Sequence, residues 1–207
     1  LGDVYKRQAK MLSMSGGQYN VPIVFRGPTG NAGQLSSQHS QNFENWFANT
    51  PGLKVVVPSN PYDAKGLLKA AIRDNDPTIF MESELMYGDK GLVPEEEYVL
   101  EIGKANIVRE GKDVTLVSFG KFMKIANECA IEMQKEGVDV EVIDLRSVRP
   151  IDYETIIMSV KKTNRLVLLE ETWPVASISS DISHIVQRNA FDHLDAPIYR
   201  VVSKDLP

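Results

Sequence analysis

The chain has 207 residues, 43% of them apolar, enough for one large core or two modest ones. Its net charge of −5 is spread over both signs with no basic block, which argues against nucleic acid as a partner. No apolar run approaches the ~20 residues a membrane-spanning helix needs, so no membrane span is expected.

The first eight residues, LGDVYKRQ, are polar and without periodicity, and they lack the apolar region of a secretory signal. They read as foreign or misread sequence ahead of AKMLSMSGG, an apolar helix end with a glycine stop. VPIVF, LKVVVP and TIFME are short, rich in Val, Ile and Phe, and punctuated by Gly and Pro, which predicts strands. HSQNFENWFANT and PYDAKGLLKAAIRDN between them predict helices. In the second, Ala64, Leu67, Leu68, Ala71 and Ile72 recur at helical spacing behind an Asn60-Pro61 start.

From Leu85 to Leu100 the chain is polar, acidic and turn-rich, the texture of an inter-domain connection. Alternation then resumes: DVTLVSFG, a helix over Lys121–Glu136, VDVEVIDL, a helix over Asp152–Lys161, RLVLLEE, a helix over Ser177–Arg188, and PIYRVV. Strands apolar almost throughout, separated by helices, predict an α/β fold with a parallel sheet covered on both faces. The second half reads as a small α/β domain and the first as the tail of another. The ending at Asp205-Leu206-Pro207 has no closing element, so the chain reads as a piece of a longer one.

The residues that could carry chemistry are few. Cys129 is the single cysteine, which excludes an internal disulfide and suits a reducing compartment. Its neighbours Ile125, Ala130 and Met133 make a small core residue the expectation. The three histidines, His39, His184 and His193, have neither zinc spacing nor cysteine partners. GPTGNAG departs from the dinucleotide fingerprint and is weak as a phosphate loop. His39 follows a strand end and a flexible turn, where ligands gather in open α/β sheets, and imidazole suits proton transfer near neutrality. Spacing alone favours a helix-capping role for His39 beside Ser36 and Ser37. The acid pairs Glu82/Glu84 and Glu170/Glu171 at strand ends are expected to be solvated or salt-bridged, with His184 and His193 structural.

The long run from VPIVFRGPTGNAGQLSSQHSQNF through TIFMESELMYG closely resembles the beta subunit of thiamine-diphosphate-dependent pyruvate dehydrogenases. VIDLRSVRPID and LVLLEETWP resemble the matching C-terminal domain, shared more loosely with transketolases. The resemblance covers Ala9 to Pro207. It implies the end of a pyrimidine-binding-type α/β domain over 9–84, a linker over 85–100, and a transketolase C-terminal-type α/β domain with a mostly parallel sheet over 101–207, its end missing. By this resemblance the family decarboxylates a 2-oxo acid oxidatively and passes the acyl group to lipoyl-lysine of an acyltransferase. It works as an alpha2/beta2 heterotetramer with thiamine diphosphate between alpha and beta subunits. Expected partners are therefore the alpha subunit, a second beta subunit and the dihydrolipoyl acetyltransferase. The expected compartment is the cytoplasm of a bacterium or the mitochondrial matrix.

The same resemblance turns the expectation for His39 towards chemistry, since the QHSQ histidine of the family serves acyl transfer. It implies a structural potassium ion at Ile23, Ala71, Ile72, Asp74 and Asp76, the last standing where some relatives carry asparagine. Magnesium belongs to the alpha subunit, and the glutamate that binds the aminopyrimidine lies upstream, so this stretch alone is expected to be inactive. MESELMYG marks the pyruvate-specific branch. The alternatives are the branched-chain 2-oxo acid dehydrogenase beta subunit and a non-catalytic α/β subunit-assembly module.

Overall fold

The computed structural model describes residues 2–206, which form two compact units. One runs to Gly103 and takes in Ser147–Pro150; the other comprises Lys104–Arg146 and the chain from Ile151 on.

The first unit contains α1 (Gly2–Met14), β1 (Val24–Pro28), α2 (Glu44–Ala48), β2 (Lys54–Val56), α3 (Pro61–Arg73), β3 (Thr78–Glu82) and the later strand β7 (Ser147–Arg149). Its sheet has the order β1-β3-β2-β7, with β1, β3 and β2 parallel and β7 antiparallel on β2. Val56, Leu67, Ala71 and Phe80 form its buried centre, with Val24, Leu68, Leu100 and Ile102 packed against it. Asn60 caps α3 by accepting the Asp63 N–H at 2.8 Å, and Pro61 fills the first turn, as the sequence predicts.

Several expected elements are shifted in this unit. β1 starts at Val24 rather than Val21, because the Val21 N–H donates to Asn75 O before the ladder with β3 begins at Val24 and Thr78. The helix expected over 39–50 is broken into a single 3-10 turn, Ser37–His39, and the short α2. Gly30 N–H donates to the Gln41 carbonyl at 2.9 Å, which draws the backbone between the two pieces away from a helical path. At the other end, α1 begins at Gly2 and runs unbroken through Gln8 into AKMLS, and the Tyr5 ring meets Phe47 edge-on at 4.9 Å.

The stretch from Leu85 to Leu100 lies along α3. Tyr98 stacks on Tyr62 at 4.6 Å, and Leu100 N–H donates to Gly66 O at 3.2 Å. Gly66 is required by this approach, since a Cβ there would sit 2.7 Å from Leu100 Cγ and 2.8 Å from Tyr98 Cε2. Gly52 (φ 91°) answers a similar need, as a Cβ would fall 2.0 Å from Ala9 O of α1.

The second unit contains β4 (Asn106–Arg109), β5 (Val114–Ser118), α4 (Phe122–Lys135), β6 (Val140–Asp144), α5 (Tyr153–Thr163), β8 (Leu166–Leu169), α6 (Ile178–Ala190) and β9 (Tyr199–Val201). The sheet order is β4-β6-β5-β8-β9, parallel except for β4. Leu116 packs with Met123, Ala126 and Ala130 of α4, while Thr115 bonds Ser159 and Thr163 of α5 at 2.6 Å each. Adjacent strand residues face opposite ways, so the two helices cover opposite faces, as the α/β pattern predicts.

Cys129 corrects the sequence reading, for its side chain is exposed. The buried line of α4 runs through Met123, Ala126 and Ala130, and Cys129 is one residue, about 100°, off that line. His184 lies on an exposed position of α6, and His193 ends a 3-10 turn, Phe191–His193.

Candidate functional site

β1 and β3 deliver their carboxyl ends side by side, Pro28 opposite Glu82. Pro28 has no N–H, so the next rung is Thr29 N–H to Glu82 O at 2.7 Å. Thr29 Oγ1 then donates to Glu44 Oε1 at 3.0 Å, both residues being buried. Together with the Gly30–Gln41 bond this ties both ends of the loop over 31–40. The loop carries two non-glycine residues at positive φ, Gln34 (62°) and Ser36 (72°).

His39 ends the 3-10 turn in this loop, its N–H donating to Ser36 O at 3.2 Å. Ser36 makes no side-chain cap bond, and α2 starts only at Glu44 with Phe43 at its N-cap, so the imidazole caps neither element. The residue is exposed.

Glu82, Glu84 and Glu171 are solvated or salt-bridged as expected, whereas Glu170 corrects the expectation by being buried. Glu82, its side chain 12% exposed, receives Arg26 Nε on Oε1 at 2.8 Å and Tyr87 Oη on Oε2 at 3.1 Å. The bond from Glu82, then its charge, raise the Arg26 pKa; burial and the same carboxylate raise that of Tyr87. Glu84 starts a 3-10 turn and is exposed. Glu171 pairs with Lys121 at 2.5 Å. Glu170 is only 2% exposed and takes the Ser179 N–H at 3.0 Å and the Ser179 hydroxyl on Oε1. Burial pushes its carboxyl above the ordinary range against those bonds.

Ile23, Ala71, Ile72, Asp74 and Asp76 are gathered around the end of α3. Ala71 O accepts the Asp74 N–H at 3.3 Å, and Ile23 O accepts the Thr78 N–H at 2.9 Å, which brings the two segments together. Lys54 Nζ lies 2.5 Å from Asp74 Oδ2 and 3.2 Å from Asp76 Oδ2. With the carboxylates facing Lys54, a hard cation would have main-chain carbonyls as its donors, each retaining a second lone pair. Main-chain carbonyls suit a hard cation, while the Asp74 and Asp76 carboxylates are already balanced by Lys54. Among the described residues no cluster of three His, Cys, Asp or Glu side chains could hold a metal.

Arg26, Thr29, Glu44, Lys54 and Tyr87 escape sequence reasoning. Only Arg26 and Lys54 leave a trace, as charged residues flanking the ends of apolar runs.

An open α/β unit of mainly parallel strands, with a histidine-bearing loop at their carboxyl ends, belongs to the α/β class, in which ligands gather beyond the strand ends. Within that class the comparisons are specific. The transketolase pyrimidine-binding domain family matches residues 3–90, and the transketolase C-terminal domain family matches residues 103–207. The chain belongs to the transketolase C-terminal domain family, with the pyrimidine-binding domain family matched ahead of it.

The chain is 52% identical over its full length to the pyruvate dehydrogenase E1 component subunit beta of Rhizobium meliloti (strain 1021), covering 45% of that protein. It is 50% identical to the same-named protein of Rickettsia felis over 96% of this chain and 61% of that one. It is also 50% identical to the mitochondrial subunit beta-1 of Arabidopsis thaliana, over 96% of this chain and 56% of the relative. The chain thus spans about half of these relatives' length. Among solved structures it is similar in fold to a split-gene transketolase, an inactive beta4 tetramer, with TM-score 0.76 at 20% identity over 98% of this chain and 65% of that one. No helix among the described residues is long and apolar enough to cross a membrane.

Proposed function

We propose that the chain serves in the beta subunit of a pyruvate dehydrogenase, which decarboxylates pyruvate and passes the acetyl group to lipoyl-lysine of a dihydrolipoyl acetyltransferase. The observation that carries this reading is the 52% identity along the whole chain to a protein of that name. Partners in this reading are the alpha subunit, a second beta subunit and the acetyltransferase. Thiamine diphosphate, shared between the alpha and beta subunits with its magnesium on the alpha subunit, would supply the decarboxylation chemistry when bound.

This chain's part is positional and protonic. The 31–40 loop presents His39 at the carboxyl end of a parallel sheet, and the exposed imidazole can hold or release a proton at a ring nitrogen as the acyl group reaches the lipoyl sulfur. The carbonyls of Ile23, Ala71, Ile72, Asp74 and Asp76 support a potassium ion that would stiffen the α3 end beside Thr78. In the complete subunit, potassium then raises the melting temperature above that in equal tetramethylammonium, and equal melting removes the ion from this reading.

Substrate choice is tested on the heterotetramer reconstituted from the full reading frame and its alpha subunit. kcat/KM for pyruvate should exceed that for 2-oxoisovalerate, because extra methylenes cost roughly 1–3 kcal/mol each in a fitted pocket. A preference for the branched acid transfers the assignment to the branched-chain enzyme. Assembly with alpha but no turnover of either acid leaves the assembly-module reading.

A further inference from the structure

Glu82 holds the base of the His39 loop in two ways. Its carbonyl takes the Thr29 N–H at 2.7 Å, the first rung available after Pro28. Its carboxylate is gripped from two sides, by Arg26 Nε of β1 at 2.8 Å and by Tyr87 Oη from beyond β3 at 3.1 Å. Arg26 pairs in register with Phe80, and Pro28 with Glu82, so Arg26 and Glu82 stand diagonally on one face of the sheet. The ion pair therefore locks the last two residues of β1 against the end of β3. From that point the chain leaves as Thr29-Gly30, whose bonds to Glu44 and Gln41 close the loop.

The grip has the features of a positioning device. Glu82 is 12% exposed while Arg26 is 57% exposed, so the carboxylate is the enclosed member. A pair this open on one side contributes little to stability. Its consequence is directional: two bonds fix both carboxylate oxygens, and with them the exit angle of the loop that carries His39.

We propose that Glu82, held by Arg26 and Tyr87, is a positioning residue that sets the His39 loop for acyl transfer. This rests on the assignment of His39 to that step. It acts through the loop and touches no reacting atom.

The test is a double-mutant cycle on the full-length heterotetramer, with reductive acetylation of a free lipoyl domain as the readout. Glu82→Gln keeps the size and weakens the grip on Arg26. It is expected to lower kcat for lipoyl acetylation roughly tenfold, with KM for the domain within about twofold. Tyr87→Phe, which removes one bond and keeps the ring, is expected to give a smaller fall of about two- to threefold, and it carries the cycle if the Gln variant does not assemble. In the His39→Ala background neither change should slow transfer further, because the residue they position is gone. A merely structural loss would slow both backgrounds by the same factor, and that result overturns the proposal. Wild-type transfer in Glu82→Gln with slow transfer in His39→Ala also overturns it while leaving the role of His39 intact. Wild-type transfer in His39→Ala removes the parent assignment, and this inference with it.

Discussion

Lys54 Nζ lies 2.5 Å from Asp74 Oδ2, joining the start of β2 to the residue that ends α3. Asp76 adds a second carboxylate at 3.2 Å. Burial lowers the lysine pKa, but the bonds to Asp74 and Asp76 outweigh it, and the net shift is upward. A cation at this position also meets the negative end of α3. The pair is 27% and 20% exposed, so its Coulomb energy is partly screened. Lys54→Met is expected to cost about 1 kcal/mol in urea denaturation near neutral pH. Because the folded pKa is raised, the contribution is complete below the unfolded value and fades only as pH climbs through the folded one. The difference between wild type and variant should therefore be flat from pH 6 to 9 and shrink above about 10.5.

Gly66→Ala should destabilise, although alanine in a helix interior normally gains about 1 kcal/mol over glycine. The added Cβ would stand 2.7 Å from Leu100 Cγ, and Leu100 and Ile102 both pack on the core. Overpacking of this kind costs about 1–3 kcal/mol, which exceeds the propensity gain. Equilibrium unfolding of the two proteins decides it, and a stabilised variant would mean that the 85–103 segment leaves α3 free.

Glu170 gives the second unit a signature in pH. Its folded pKa is raised by burial, so its contribution is complete below the unfolded value near 4.3 and declines as pH rises through the folded one. Glu170→Gln retains an oxygen for the Ser179 N–H and hydroxyl and carries no charge. The variant should gain stability relative to wild type between pH 4 and pH 8. Parallel denaturation curves across that range would show that Arg200, which reaches Ser179 Oγ at 2.8 Å, keeps the carboxylate comfortable when ionised.

His39→Ala in the full-length heterotetramer should cut acyl transfer by ~10²–10⁴-fold, the usual cost of one positioned acid/base. Its stability should be nearly unchanged, because the imidazole is exposed and caps no helix. Overall turnover equal to wild type, with a lipoyl domain as acceptor, would withdraw His39 from the chemistry.

The local elements were legible in the sequence because their causes are local. Asn60-Pro61 announces α3, and the short valine- and isoleucine-rich runs announce β2, β3, β5, β6 and β8. Their alternation with amphipathic helices dictates parallel sheets, since two buried faces demand apolar strands and helical cover. The position of His39 beyond a strand end was equally readable, from the glycine-rich stretch that follows β1. Tertiary structure decided the rest. β7 is the short triplet Ser147–Arg149, a strand only because it pairs antiparallel with Val55 and Val56, some ninety residues away. β4, partly exposed at a sheet edge, shows no apolar run and owes its existence to β6. Cys129 missed the core by the rotation of one residue on α4. The clamp of Arg26 on Glu82 and the pairing of Lys54 with Asp74 likewise depend on strand register. Periodicity and capping act within about ten residues, whereas register is set by how whole strands bury their faces. Neighbouring residues along the chain can therefore foretell a helix or a strand, but not which distant charge will stand beside it.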